Sequence, residues 1–579
     1  MTAPIIPRAQ VGSMTHREIM EALGGLLLVL FVAVSSATIV SNALPRIIGA
    51  LNGTQTQYTW VVTASLLTAT ASIPIWGKLS DLFSKKLLVQ VAVVVFVLGS
   101  VVAGLSQTAG QLIAARAFQG LGMGGIQALV QIAIASMIAP RERGRYTGYL
   151  GAVFALATVG GPLLGGVIVD TSWLGWRWCF FVGAPIAAIA LVVLQKTLNL
   201  PPLKRDNVRI DYLGATLIAA GVSVLLIWVS FVNSAFRFLS GPSAAMVGGG
   251  LVLLGLAVWV EHRAAEPVVP PRIIKERTTA LAIVGSLAVG MAMFGGAVFL
   301  GQYFQISRGY SPTHSGLLML PMMGGLLVSS TVSGRLITRT GRIKSFLVTG
   351  TITLVAGFAV LARMDHRTSL WIVGTGMALV GIGIGMSMQN LVLSAQNEAR
   401  LRDIGAASSA VTFFRSLGGT IGVSVLGAVL AHRVTRDITS QLTAAGIPVT
   451  GRHRGGLNLA ALPDNVQHIV RAAYGDATGH VFQLSVIVGA IGVIAALLMK
   501  PMTLRTTVDI ERQIAAYLAA QAASSAAPAT PSAGAGLPVP TPAGADRPAA
   551  APVSRATSSA FAHYATAEYP IYSYPSIPE

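Results

Sequence analysis

Gly77-Lys78-Leu79-Ser80-Asp81-Leu82-Phe83-Ser84-Lys85-Lys86 joins two apolar runs, near 58–77 and 87–106, each long enough to cross a bilayer. A glycine, a carboxylate and several cations in so short a loop exceed what a linker needs. The bias of basic residues towards one side of a membrane explains Lys85 and Lys86, but not Gly77 or Asp81. Gly77 would let two helices approach closely. Asp81 would take the positive end of a neighbouring helix, or a cation, so that the segment works as a charge latch. A weaker copy, Gly334-Arg335-Leu336-Ile337-Thr338-Arg339-Thr340-Gly341-Arg342, follows about 250 residues later. Its recurrence predicts two homologous helical bundles. Thr338 replaces the carboxylate there, which assigns any strong latch to the first copy.

Composition points the same way. The 579 residues are 53% hydrophobic and only 11% charged, with a mean hydropathy of +0.69. Soluble domains carry about 25% charged residues. A soluble fold cannot hide this much apolar surface, so the chain reads as an all-α polytopic membrane protein whose first partner is the lipid bilayer. A net charge of +19 would suit nucleic acid. The cations instead sit in short loops between apolar spans, which excludes that partner. Cys179 is the single cysteine, so internal disulfides and cysteine-based metal sites are excluded. No cofactor or metal site is expected. The first apolar run is longer than that of a signal peptide and is read as a retained helix.

About fourteen spans of roughly 18–26 residues follow, from 22–44 to 479–499. They predict an N-terminal segment 1–21, a six-helix bundle over 22–198, and two inserted spans with flanking loops over 199–278. A second bundle covers 279–502, including a long loop 432–478, and a tail covers 503–579. Much of the tail is Ala, Pro, Ser and Gly and is expected to be disordered. Loops holding Lys78, Lys85 and Lys86, then Arg141, Arg143 and Arg145, then Arg339, Arg342 and Lys344 share one side. They place that side, and both termini, in the cytoplasm of a cell whose plasma (inner) membrane holds the protein. The basic segment 432–478 breaks the rule, as long loops do.

Inside the fourth span lies Arg116. At about 100° per residue, Arg116, Gln119, Gln127 and Gln131 fall within one arc of about 120°. A charge at membrane depth must face protein or water, so this stripe reads as a wall of an aqueous cavity, the alternative being a buried structural network. Gly120, Gly122 and Gly125 imitate a dinucleotide fingerprint, but they follow no strand and lie at membrane depth. In the fifth span, Gly160-Gly161-Pro162-Leu163-Leu164-Gly165-Gly166 supplies small residues for helix contact and a proline that frees a carbonyl.

Gly161-Pro162-x-x-Gly165-Gly166 resembles the antiporter motif of drug/proton antiporters. The Gly77–Lys86 loop resembles the helix 2–helix 3 loop of the major facilitator superfamily. Trp176-Arg177-Trp178-Cys179-Phe180, Gly316-Leu317-Leu318-Met319-Leu320-Pro321 and Phe413-Phe414-Arg415-Ser416-Leu417-Gly418-Gly419 add further matches in order. Together with two extra central spans, they make the chain similar to the fourteen-helix drug:proton antiporters of the QacA/EmrB type. The resemblance implies a major facilitator fold of two six-helix bundles plus two extra helices. It also implies proton-driven efflux of amphipathic small molecules by alternating access, as a monomer, and a proton-relay role for Arg116. One position departs. Thr38-Ile39-Val40-Ser41-Asn42-Ala43-Leu44-Pro45 is intact, yet Ser36 stands where this branch usually has an aspartate, and serine does not titrate near neutral pH.

For substrate, Ser35, Ser36, Thr38 and Asn42 offer hydrogen bonds from the first span, with Gln389 and Asn390 from a later one. Met291 and Phe294 offer adaptable apolar surface, unless they are core filler. No phosphate-binding loop or converging catalytic set occurs, which argues against an ATP-driven pump and against an enzyme. Two readings stand beside multidrug efflux: export of an endogenous lipid, siderophore or secondary metabolite, and a transporter-like receptor.

Overall fold

The computed structural model describes residues 16–53, 55–171, 173–198, 211–232, 236, 238, 240–264, 266–399, 403–444 and 464–504. Among them no strand forms. The helices of the first half are α1 (His16–Ala50), α2 (Gln55–Leu82), α3 (Lys85–Leu105), α4 (Ala109–Met137) and α5 (Pro140–Asp170), then α6 (Trp178–Phe181) and α7 (Gly183–Thr197). The inserted pair is α8 (Tyr212–Phe231) and α9 (Gly241–Arg263), followed by the short α10 (Pro271–Lys275). The second half comprises α11 (Arg277–Gln302), α12 (Pro312–Leu318), α13 (Leu320–Thr340), α14 (Ile343–Leu361), α15 (Leu370–Glu398), α16 (Ile404–Ala444) and α17 (Asp464–Leu498).

The two halves repeat one packing scheme. In the first, α4 packs on α2 and α3, and α1 on α5 and α7; in the second, α15 packs on α13 and α14, and α11 on α16 and α17. The contacts between halves obey the same exchange, α5 meeting α13 and α16 meeting α2. This is the internal duplication announced by the repeated loop motif. The inserted α8 and α9 pack on each other, with α8 against α2. Only 17% of the α9 span is buried, and Leu251, Val252, Val258 and Trp259 are exposed on it, as a peripheral lipid-facing helix requires.

Thirteen helices among the described residues are long and apolar enough to cross a membrane. The fourteenth of the expected spans is α5. Its 31 residues suffice in length, but its apolarity is diluted by glycines and hydroxyls that face other helices rather than lipid.

Several helices outrun their expected spans. Apolarity marks only the hydrocarbon slab, whereas a helix continues as long as its backbone hydrogen bonds do. Gly77 and Asp81 therefore belong to the last turns of α2, and only Phe83 and Ser84 separate it from α3. Likewise the expected loop 432–478 is helical to Ala444 and again from Asp464. The segments 1–15, 199–210 and 445–463, and the tail from residue 505, lie outside the described residues.

Bare glycine sets the helix spacing within each half. A Cβ on Gly381 of α15 would lie 1.9 Å from the Met322 carbonyl oxygen of α13, whereas one on Gly324 would meet nothing within 4 Å. Gly381→Ala must push two backbones apart and is expected to destabilise the protein by about 1–3 kcal/mol. Thermal melting of the detergent-solubilised chain checks this, with Gly324→Ala expected to melt like the parent.

Candidate functional site

The end of the molecule that carries Lys78, Lys85, Arg141 and Arg339 is its basic end, and there the halves cross twice. At the first crossing α2 lies on the start of α16. A Cβ on Gly77 would sit 2.0 Å from Ser409 Oγ, and one on Gly405 would sit 2.5 Å from the Gly77 carbonyl oxygen, so neither position has room for a side chain. This closeness delivers the buried Asp81 carboxylate to the first turn of α16. Asp81 Oδ1 accepts from Gly405 N at 2.8 Å, and Oδ2 from Ala406 N at 3.0 Å. Those amides have no partner within their own helix, and the helix dipole adds positive potential at them. Lys85 and Lys78 act on the same carboxylate through space. Lys86 turns away within its own half, its Nζ donating to the Gln195 carbonyl oxygen of α7 at 2.7 Å.

The segment after α9 straps this crossing. Glu261 accepts from Val268 N at 3.1 Å and Val269 N at 3.0 Å, which fixes the turn out of the helix. Beyond it, Glu266 pairs with Lys78 of α2 at 2.6 Å and Arg272 with Asp403, just before α16, at 2.7 Å. Ile273 of α10 packs with Ala135 of the first half and Ala399, Ile404, Ala406 and Ala407 of the second.

At the second crossing α5 lies on α13. Cβ atoms on Gly144, Gly148 and Gly151 would fall 2.3–2.4 Å from Gly334 O, Thr331 Oγ1 and Ser330 Oγ. Here the charge is reversed. Arg141 donates from Nε to the Thr338 carbonyl oxygen at 3.2 Å and from Nη2 to that of Arg339 at 3.4 Å. The last turn of α13 thus offers free carbonyls to a cation, where α16 offers free amides to an anion. Beside it, buried Arg143 donates to Gln396 Oε1 of α15 at 2.6 Å and to the Ala135 and Ile138 carbonyls of its own half. Sequence reasoning found Asp81 but not Arg141, because the acceptor is a helix end and has no side-chain signature.

The glycines of the antiporter-like stretch face α1. A Cβ on Gly161 would lie 1.9 Å from Thr38 Oγ1, and one on Gly165 would lie 2.9 Å from the Ile39 carbonyl oxygen. Thr38 Oγ1 donates across this contact to the Ala157 carbonyl oxygen at 3.0 Å. Gly166 is half-buried beside them. The side chains of Asn42 and Pro162 lie outside the described residues.

Arg116 and Gln119 are buried at the junction of α1, α2, α3 and α4. Arg116 donates to the Val61 carbonyl oxygen at 3.4 Å, to Ser65 Oγ at 2.8 Å and to Gln119 Oε1. Gln119 Nε2 donates in turn to Ser100 Oγ at 2.5 Å and Ser36 Oγ at 3.3 Å. The two residues expected to line an aqueous wall thus form a closed network of neutral partners, and it contains Ser36. Gln131 is buried and Gln127 half-buried two and more turns away, without a bond to that network among the described residues. Ser35 is buried nearby, its Oγ without a hydrogen-bond partner among the described residues. The dinucleotide-like glycines Gly120, Gly122 and Gly125 prove to be contact points with α2 and α3.

In the second half Met291, Met319, Met322 and Met323 are buried in the core cluster. Phe294, over a third exposed, packs on Gly419, and Met291 packs on Gly422. Asn390 donates to the Met386 carbonyl oxygen of its own helix at 2.6 Å. Gln389 and Arg415 are both buried, and Gln389 Nε2 and Arg415 Nη1 find no hydrogen-bond partner among the described residues. Sequence reasoning quoted Arg415 only within a motif; the rule that singled out Arg116, a charge inside an apolar span, finds it too.

Two duplicated helical halves, an inserted helix pair and crossings of bare glycine backbone define a polytopic α-helical membrane protein built as a pair of related bundles. The sequence profile of the Major Facilitator Superfamily matches residues 26–423, and the chain belongs to that superfamily. It is 39% identical over 474 residues to an uncharacterized MFS-type transporter of Mycobacterium tuberculosis, covering 82% of this chain and 68% of that one. It is 30% identical over 507 residues to the multidrug transporter protein MdtP of Bacillus subtilis, covering 83% and 93%. The fold matches the solved proton:xylose symporter XylE with a TM-score of 0.55 at 14% identity, over 86% of this chain and 100% of that one.

Asp81→Asn keeps the size of the side chain at the first crossing but removes its charge and turns one of its two acceptors into a donor that faces an α16 amide. It is expected to weaken the joint by about 1–2 kcal/mol. A cysteine pair placed across α2 and α16 should then cross-link more slowly than in the parent. An unchanged rate would show that the carboxylate contact contributes nothing to closure.

Proposed function

We propose that the chain is a secondary active exporter of amphipathic small molecules, working by alternating access and driven by proton antiport. It acts as a monomer in the plasma membrane with both termini in the cytoplasm, so the basic end faces inward. The observation that carries this reading is the construction of the two crossings. Each joins the halves through bare backbone and helix-end charges, with no covalent tie. Such joints open and close as units, so the halves can rock about a central path. The similarity to MdtP, named a multidrug transporter, supports export as the direction and amphipathic compounds as cargo.

Proton coupling follows a different path here from that of the resembling branch. With Ser36 in the position usually held by an acid, the first-half network has a permanent cation, Arg116, and no carboxylate to protonate beside it. Asp81 is the acid at the moving contact. Protonation there would remove the negative charge from the α16 amides and loosen the closed basic end, tying proton uptake to opening on that side.

Everted membrane vesicles provide the test. Uptake of neutral, anionic and monocationic dyes of one aromatic body is followed with an imposed proton gradient, which is then collapsed. Gradient-dependent uptake is expected, with a loss of about tenfold in Arg116→Ala, equivalent to about 1.4 kcal/mol. Uptake indifferent to the gradient would sink antiport, and absence of uptake for every dye would sink export.

A further inference from the structure

The second half contains a buried cation without an anion. In its helices α11, α13 and α14 there is no Asp or Glu, and in α15 only Glu398, the terminal residue. The acids of α16 and α17, Asp437, Asp464 and Asp476, lie towards the end remote from the basic one. Yet Arg415, 5% exposed, sits within α16 with Nη1 lacking a hydrogen-bond partner among the described residues. A guanidinium is permanently charged, so it cannot escape burial by losing its proton. Its first-half counterpart in chemistry, Arg116, is surrounded by three acceptors.

Helix register identifies what stands beside Arg415. The helices α15 and α16 run antiparallel, and they are tied by Gln396 Nε2 donating to Ser408 Oγ at 2.8 Å. Two helical turns, about seven residues, return to nearly the same face of a helix. Two turns before Gln396 on α15 stands Gln389, and two turns after Ser408 on α16 stands Arg415. The two residues therefore lie at one depth on adjoining faces. Gln389 is 7% exposed, and the atom it leaves without a partner is Nε2, a donor. On the third side, Gly290 of α11 lies against the Arg415 backbone, and Ser286, one turn away on that face, also has a buried Oγ without a partner among the described residues. Three helices thus bring Arg415 Nη1, Gln389 Nε2 and the Ser286 hydroxyl, each able to donate and without a partner among the described residues, to one region of the interior. The buried carboxylate of Asp81 is engaged at the first turn of α16, about 15 Å along the helix. Donors of this kind remain buried when an acceptor carrying negative charge joins them.

We propose that Arg415 and Gln389, flanked by Ser286, form a binding site for the acidic headgroup of an exported amphiphile: a carboxylate, phenolate or sulfonate. Arg415 supplies charge and Gln389 a second, neutral donor. The site favours acids over their neutral esters and over cations. It deepens the exporter reading, and its transport arm rests on that reading.

Two arms separate this site from that reading. The purified full-length chain is melted with pyrenebutyrate and with its methyl ester. The acid is expected to raise the melting temperature more than the ester does. Arg415→Gln and Gln389→Leu should each abolish the difference, and Arg415→Lys should retain part of it. In proteoliposomes of zwitterionic lipid, the ratio of acid to ester transport should fall about tenfold in Arg415→Gln, the scale of one lost charge-assisted hydrogen bond. No acid-specific rise in the parent, or its survival in both Arg415→Gln and Gln389→Leu, overturns the site. So does a rise produced by phosphatidylglycerol and not by pyrenebutyrate, which would make the donors a lipid contact. Transport of the ester with no preference for the acid also overturns it and leaves export standing. Acid-specific binding with no transport of either probe supports the site and removes export.

Discussion

A helix in a bilayer satisfies its own backbone except at its two ends, and this transporter joins its halves through those ends. The amides that open α16 receive Asp81, and the carbonyls that close α13 receive Arg141. The Asp81 contact depends on bare glycine backbone on both helices. Gly77 and Gly405 at one crossing bring backbones so close that the short Asp81 side chain spans the remaining gap, and Gly144 opposite Gly334 brings α5 and α13 together where Arg141 reaches the helix end. The two joints are related by the internal duplication, yet they carry opposite charge. Both copies set the end of one helix on the start of another, but Thr338 stands in the second copy where Asp81 stands in the first, and the charge there comes from Arg141 at the start of α5 instead.

The strap formed by the segment after α9 depends on the same closeness. Lys78 and Asp403 flank the first crossing on opposite halves, and Glu266 and Arg272 reach them from one short stretch of chain. Ile273 fills the apolar notch between. The inserted helices are peripheral in the membrane, but their exit is central at the basic end. This arrangement gives the insertion a structural consequence for the core that its lipid-facing position would not suggest.

Much of this architecture was legible in the sequence because a bilayer imposes simple rules. Apolar length located the helices, and the repeated loop motif announced the duplication. The span of α5 was expected, although its apolarity is diluted where Gly144, Gly148 and Gly151 face protein and smallness counts for more than hydrophobicity. The failures have physical causes. Gly77–Lys86 reads as a loop because its residues are polar, but α2 continues through Leu82 since hydrogen bonding, not polarity, ends a helix. Asp81 was recognisable from its improbability in a linker. Arg141 was not, since its acceptors are backbone carbonyls that any residue could supply. Periodicity grouped Arg116, Gln119, Gln127 and Gln131 on one arc, but depth along the helix separates the first two, bonded to Ser65, Ser100 and Ser36, from the others.

The two buried arginines show how one residue type takes two roles through its neighbours. Arg116 arrives with Ser65 and Gln119 within reach, so its charge is spread over neutral acceptors and its side chain is held in place. Such a group can sustain a positive potential in the first half without attracting a ligand, since its donors are already used. Arg415 has different surroundings: glycines at 418, 419 and 422 give their space to α11, and its Nη1, like Gln389 Nε2, finds no hydrogen-bond partner among the described residues. The loss of an acid at Ser36 then has a consequence beyond proton coupling. The buried carboxylates of the spans, Asp81 and Glu261, are both held by backbone amides near the basic end, which leaves the surroundings of Arg116 and Arg415 without an acid of their own.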